Sequence, residues 1–113
     1  MKILFVENHP RFAKLTVQQF LSTHEVTVVP SLAAARQALA QSTFQIVMVD
    51  YDLNDGKGDE LVQEIHEQAS HPLAIGVSSH QSGNDALMKA GADAICGKMQ
   101  FAHIERVLQE LVA

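Results

Sequence analysis

One cysteine, Cys96, stands in a chain of 113 residues. It cannot close a disulfide within the chain, and no Cys/His spacing around it matches a zinc site, so a stapled fold is excluded and a reducing, cytoplasmic setting suits the chain. Cys96 reads as a small core residue. Basic charge is also scarce: 8 Lys and Arg against 13 Asp and Glu leave a net charge of −5, which argues against direct binding to nucleic-acid phosphates or an anionic membrane. No apolar run approaches the roughly 18 residues of a membrane-spanning helix. The opening run Ile3-Leu4-Phe5-Val6 breaks at Glu7-Asn8-His9-Pro10, too soon for a secretory leader. Repeats, linkers and low-complexity tracts are missing. With 47% hydrophobic and 19% charged residues, the composition is that of a packed core, and the length admits one domain, residues 1–113.

What is present is a series of short apolar runs, rich in β-branched residues: Ile3 to Val6, Val26 to Val29, Ile46 to Val49, Leu73 to Val77 and a weaker Ala92 to Cys96. Each is too short for a helix. None alternates with polar residues, so strands covered on both faces, and hence a parallel sheet, are expected. Helical patterns fill the gaps. Pro10 suits a first helical position, followed by an apolar arc of Phe12, Ala13, Thr16, Val17 and Phe20. Ser31 is placed to cap a second helix through Leu32, Ala35 and Leu39. A third turns Leu61, Val62 and Ile65 inward, with Glu60, Glu64 and Glu67 outward. Asn84 is read as the cap of a short fourth helix that Gly91 ends, and the fifth aligns Phe101, Ile104, Val107, Leu108 and Leu111. Alternating strands and helices imply a doubly wound α/β fold with strand order 2-1-3-4-5 and helices on both faces. The expected site is the crevice beyond the carboxyl ends of the first and third strands.

The polar residues at those ends are selective: Glu7 and Asn8 after the first strand, Asp50 and Asp52 after the third, Ser78 and Ser79 after the fourth, Lys98 after the fifth. Clustered carboxylates with a carboxamide suit Mg²⁺, and a lysine adds a second positive pole. Metal and ammonium can neutralise phosphoryl oxygens, a serine hydroxyl can donate to one, and a carboxylate can attack phosphorus, so the chemistry is an aspartyl phosphate.

These residues resemble the receiver domains of bacterial two-component response regulators. The stretch from Ile46 through Asp50 to Gly58 is similar to the family's third strand, with its phosphorylatable aspartate and a glycine eight residues on. Ile3 to Asn8 is similar to the first strand and its acidic pair, Val77-Ser78-Ser79 to the fourth strand's hydroxyl and small residue, and Ala90 to Ala94 to the turn before the fifth. The resemblance implies a flavodoxin-like receiver with Asp50 as phosphoacceptor, assisted by Ser78 and Lys98. It implies Mg²⁺ held by Glu7, Asn8, Asp50 and the backbone carbonyl of Asp52. It further implies a histidine kinase or phosphotransfer protein as donor, a downstream output domain or protein as receiver of the signal, and a switch rather than a turnover enzyme. A homodimer is compatible with such a domain.

Five positions and one segment length depart from the family's pattern. The acidic pair is Glu7-Asn8 instead of two aspartates, which implies weaker metal binding. Met99 replaces the usual proline, Ile95 the switch aromatic and Asn54 a common proline, and the segment from Ser78 to Gly91 is about two residues short. The alternative reading is therefore a receiver-like protein-binding module that acts without phosphorylation. A Mg²⁺-dependent phosphatase pairing Asp50 with Asp52 is a weaker rival. The six histidines lie in different predicted elements without ligand spacing, against a dedicated transition-metal site. Only His9 and His80 border the crevice.

Overall fold

The computed structural model describes all 113 residues. Its main sheet has five parallel strands, β1 (Lys2–Val6), β2 (Glu25–Val29), β3 (Ile46–Val49), β6 (Leu73–Gly76) and β7 (Ala94–Ile95), in the order β2-β1-β3-β6-β7. This is the expected 2-1-3-4-5 winding. Between the strands run α1 (Pro10–Phe20), α2 (Leu32–Gln41), α3 (Gly58–His66) and α4 (Gln81–Lys89), and α5 (Ile104–Val112) follows. Two elements escaped the sequence reading. One is an antiparallel hairpin of two-residue strands, β4 (Asp52–Leu53) and β5 (Gly56–Lys57); the other is a 3₁₀ segment, Lys98–His103, leading into α5.

Strand alternation divides the core. Leu4, Val6, Val47 and Val49 face one side and pack with Leu32 and Ala35 of α2, Leu61, Val62 and Ile65 of α3, and Leu87 of α4. Ile3, Phe5, Ile46, Met48, Ile75 and Val77 face the other, against Ala13 of α1, Phe101, and Ile104 and Leu108 of α5. Phe101 anchors this second layer, stacked on Phe5 at 5.9 Å and edge-on to Phe12 at 5.7 Å. Cys96 is buried here as a free thiol, and burial pushes its pKa up.

Ser31 caps α2 as expected, accepting from Ala34 N at 3.1 Å. Asn84 does not cap α4. His80 holds that position, and Asn84 lies buried inside the helix, where its carboxamide turns to the preceding loop. The expectation that every strand is covered on both faces also fails for β2. As an edge strand it leaves Glu25, Thr27 and Val28 exposed, because only one neighbour and part of a helix layer reach it. The last strand shrinks from the expected Ala92 to Cys96 to two residues.

Two glycines are required by the backbone. Gly91 closes the α4 turn at φ +116, a conformation that side chains disfavour. Gly58 starts α3 against the strand end: a Cβ there would lie 1.9 Å from the Asp50 carbonyl oxygen, and its N–H donates to Tyr51 O at 2.7 Å. Gly58→Ala should therefore destabilise the fold by about 1–3 kcal/mol, the usual range for overpacking a tight site. Urea unfolding checks this; a loss under about 0.5 kcal/mol would mean that the α3 start yields freely.

Candidate functional site

Register builds the site. Val6 is paired with both Val29 and Val49, and Val49 with Gly76, so the strand ends fall level. The ladder continues one residue further, through Glu7 N to Val29 O, Asp50 N to Val6 O and Val77 N to Val49 O. The side chains of Glu7 and Asp50 are thereby carried side by side into the crevice. Both are buried, 1% and 4% exposed. Two adjacent buried carboxylates need a cation, and Lys98, arriving from beyond β7, supplies it. Its Nζ lies 2.9 Å from Glu7 Oε1 and 3.0 Å from Asp50 Oδ2, and 4.9 Å above the Phe12 ring.

His9 completes the cluster. Its Nδ1 is 2.8 Å from Glu7 Oε2 and 3.9 Å from Asp50 Oδ2, and its backbone N–H donates to the same Glu7 oxygen at 3.1 Å. Ligand atoms of Glu7, His9 and Asp50 all fall within 4.8 Å of one another, close enough for one metal ion. The sequence signal for His9 is its place two residues beyond Glu7 on a chain that Pro10 keeps extended. Asn8 is partly buried. Its Nδ2 donates to Asn54 Oδ1 at 3.2 Å, while its Oδ1 is enclosed with no partner.

Ser78 is buried at the adjoining strand end. Its Oγ accepts from His80 N at 3.1 Å, and its main chain is bracketed by Asn84, whose Oδ1 accepts from Ser78 N at 2.9 Å and whose Nδ2 donates to Ser78 O at 3.2 Å. Lys98 N donates to that same carbonyl, also at 3.2 Å. Asn84 thus ties α4, the Ser78 loop and the Lys98 segment together, a role the sequence reading missed by treating it as a cap. The Asp52 side chain leaves the group: it is exposed and paired with Lys57, whose hydrogen bond lowers its pKa. The carboxylate pair that a phosphatase would need is not formed.

A family model for the response regulator receiver domain matches residues 3–109. The chain belongs to this family. No curated protein matches it in sequence. Among solved structures it is similar to the response regulator TrrA of Thermotoga maritima in complex with Mg²⁺ and BeF, with TM-score 0.86, 18% identity and 97% of each chain covered. It is also similar to the receiver domain of a sensor histidine kinase from Pseudomonas aeruginosa, crystallised with a magnesium ion in its active-site cleft, with TM-score 0.85, 22% identity and coverage of 96% and 94%. A CheY-like receiver domain from Methylobacillus flagellatus has TM-score 0.84 at 20% identity, with 98% of each chain covered. At these identities the likeness establishes the shared receiver fold.

Within the receiver's acidic crevice the protonation of Asp50 is set by opposing forces. Burial and the charge of Glu7 raise its pKa above the ordinary 3.8, and Lys98 only partly restores it. Burial opposes the charge of Lys98 too, but hydrogen bonds to Glu7 and Asp50 outweigh it, and its pKa ends above 10.5. Folded Asp50 binds its proton more tightly than unfolded Asp50, so its contribution to stability is full below pH 3.8 and is lost as pH rises through the folded pKa. Lys98 contributes stability below its ordinary value that disappears only in strong base. Asp50→Asn should consequently be more stable than wild type at pH 7, with the difference shrinking toward pH 4. Urea midpoints at the two pH values measure it, and a variant less stable at pH 7 would contradict the electrostatic account.

Proposed function

We propose that residues 1–113 form one receiver domain that accepts a phosphoryl group on Asp50. The observation that carries this reading is the buried Asp50 carboxylate at a strand end, with Lys98 Nζ at 3.0 Å and Glu7 beside it. In the transfer a carboxylate oxygen of Asp50 attacks phosphorus, the P–N bond to the donor histidine breaks, and the imidazole leaves with the bonding pair. Burial leaves this carboxylate more basic and less hydrated than a surface aspartate, which favours it as nucleophile. Lys98 is placed to neutralise a phosphoryl oxygen, and the Ser78 hydroxyl, which only accepts from His80 N, keeps its proton free to donate to another.

The donor set fits a hard dication. Glu7 and Asp50 bring buried charge, and the enclosed Oδ1 of Asn8 is an oxygen without a partner. Mg²⁺ held by Glu7, Asn8, Asp50 and the Asp52 carbonyl would neutralise the incoming phosphoryl oxygens. Two of the similar structures hold Mg²⁺, which supports the reading. The donor is a histidine kinase or phosphotransfer protein of the cytoplasm, and an output domain or protein reads the result. The Lys98–Ser78–Asn84 bracket leads from the phosphoryl position to α4 and to the 3₁₀ segment before α5, so a shift of Lys98 and Ser78 biases that face between two states.

A second reading has its own observation. Lys98 bonds both Glu7 and Asp50 from within the chain, a contact that a constitutive binding module taking no phosphoryl group would also keep. Incubation with Mg²⁺ and a small phosphodonor, followed by intact-mass measurement, separates the two. The expected result is a single adduct on wild type and none on Asp50→Asn. No adduct on wild type leaves the binding module, and an undiminished adduct on the variant moves the acceptor elsewhere.

Asn8 offers Mg²⁺ a neutral oxygen where aspartate would offer charge. Dehydration of the ion and repulsion from Glu7 and Asp50 offset part of that gain, so Asn8→Asp should tighten Mg²⁺ by about ten- to a hundredfold. Calorimetric titration of both forms tests this; equal affinities would place Asn8 away from the ion.

A further inference from the structure

His9 is an unusual neighbour for a pair of hard carboxylates. Pro10 restricts it to extended backbone, φ −107 and ψ 93, and both its main-chain N–H and its ring meet Glu7 Oε2. The ring is thereby held over the crevice although its side chain is 61% exposed. One nitrogen, Nδ1, faces an acceptor, Glu7 Oε2 at 2.8 Å, and a donor, Lys98 Nζ at 3.4 Å. No single tautomer satisfies both contacts, because Nδ1 carries either a proton or a lone pair. Glu7 Oε1, on the other side of the same carboxylate, is taken by Lys98 at 2.9 Å, which leaves Oε2 as the oxygen that faces the His9 ring.

A dication among Nδ1, Oε2 and Asp50 Oδ2 would take the Nδ1 lone pair as a ligand and so remove the tautomer conflict, sharing Asp50 Oδ2 with Lys98. For metal–ligand bonds of about 2.1 Å, neighbouring donors in an octahedron lie about 3.0 Å apart and opposite donors about 4.2 Å apart. The separations of 2.8 Å and 3.9 Å from Nδ1 to the two carboxylates match that spacing closely. Donor type then decides which ion. Mg²⁺ prefers oxygen and retains its water, whereas imidazole suits the first-row ions, whose affinities for such sites climb toward the end of the row. Replacement of charge by the neutral Asn8 oxygen weakens the hard-ion option further.

We propose that His9 is a third protein ligand beside Glu7 and Asp50, and that it biases this crevice toward imidazole-seeking first-row divalent ions, Zn²⁺ among them, over Mg²⁺. The inference rests on the reading of the crevice as the metal site of a receiver. Zn²⁺ and Mg²⁺ are titrated calorimetrically into the full chain and into His9→Gln, and the histidine ring nitrogens of wild type are followed by NMR through the Zn²⁺ titration. The expected outcome is a Zn²⁺-to-Mg²⁺ affinity ratio at least about tenfold lower in the variant, together with a shift of His9 Nδ1 in wild type. An unchanged ratio, or shifts confined to the other histidines, overturns the proposal, and the wild-type NMR arm holds even if the variant folds poorly. The phosphoryl adduct is scored separately with Mg²⁺. An adduct on Asp50 with no His9 response sinks this inference alone, whereas a His9-bound Zn²⁺ with no adduct upholds it and sinks the phosphoacceptor reading.

Discussion

Everything at the carboxyl end of this sheet depends on one ammonium group between two buried carboxylates. Lys98 Nζ is about equidistant from Glu7 and Asp50, at 2.9 and 3.0 Å. At an effective dielectric near 20 each contact is worth roughly 5 kcal/mol of attraction. Burying three charged groups costs several kcal/mol each, and the two carboxylates repel, so the triad contributes little net stability. Its consequence is positional: the lysine cannot leave without stranding a like-charged pair, and any cation entering the crevice must compete with it or share its ligands.

That constraint passes into the fold through short covalent distances. Lys98 opens the 3₁₀ segment whose Phe101 fills the space between Phe5, Phe12 and Phe20, and its own ammonium lies over the Phe12 ring. Its backbone N–H reaches the Ser78 carbonyl that Asn84 also holds. A movement of the ammonium by an ångström or two is therefore felt by the aromatic layer under α5 and by the α4 side through Asn84. These are packed groups with few intermediate arrangements, the kind of coupling that favours two states over a continuum.

The fold was readable in the sequence because each parallel strand buried on both faces leaves an uninterrupted apolar run, and the polar residue after the run marks the crevice. Ile46 to Val49 followed by Asp50 is the clearest case. The β2 edge misled because Val28 is as apolar as a core residue yet has no layer over it. The hairpin at Asp52–Leu53 and Gly56–Lys57 has strands too short to leave any periodicity. Asn84 was misread because a polar residue ahead of apolar ones satisfies the pattern of a cap, while its actual partner, the Ser78 main chain, is six residues back and visible only in three dimensions. His9 was underweighted because ligand spacing was sought among histidines, and its partners are carboxylates from two strands.

The same crevice has three claimants for its negative charge: Lys98, fixed by the chain; the imidazole of His9, whose Nδ1 can approach the carboxylates as a proton donor or as a metal ligand; and a dication from solution. Asp50 Oδ2 faces both of the claimants within the chain, Lys98 at 3.0 Å and His9 at 3.9 Å, while its Oδ1 accepts from the Tyr51 N–H at 2.8 Å. A phosphoryl group on Asp50 would change the terms of this competition by adding negative charge beyond the carboxylate itself. Lys98 and an ion would then no longer compete for one aspartate oxygen, since each could take a phosphoryl oxygen. Phosphorylation and metal binding would thus reinforce one another in this site, whereas without the phosphoryl group an ion has to share Asp50 Oδ2 with the internal lysine.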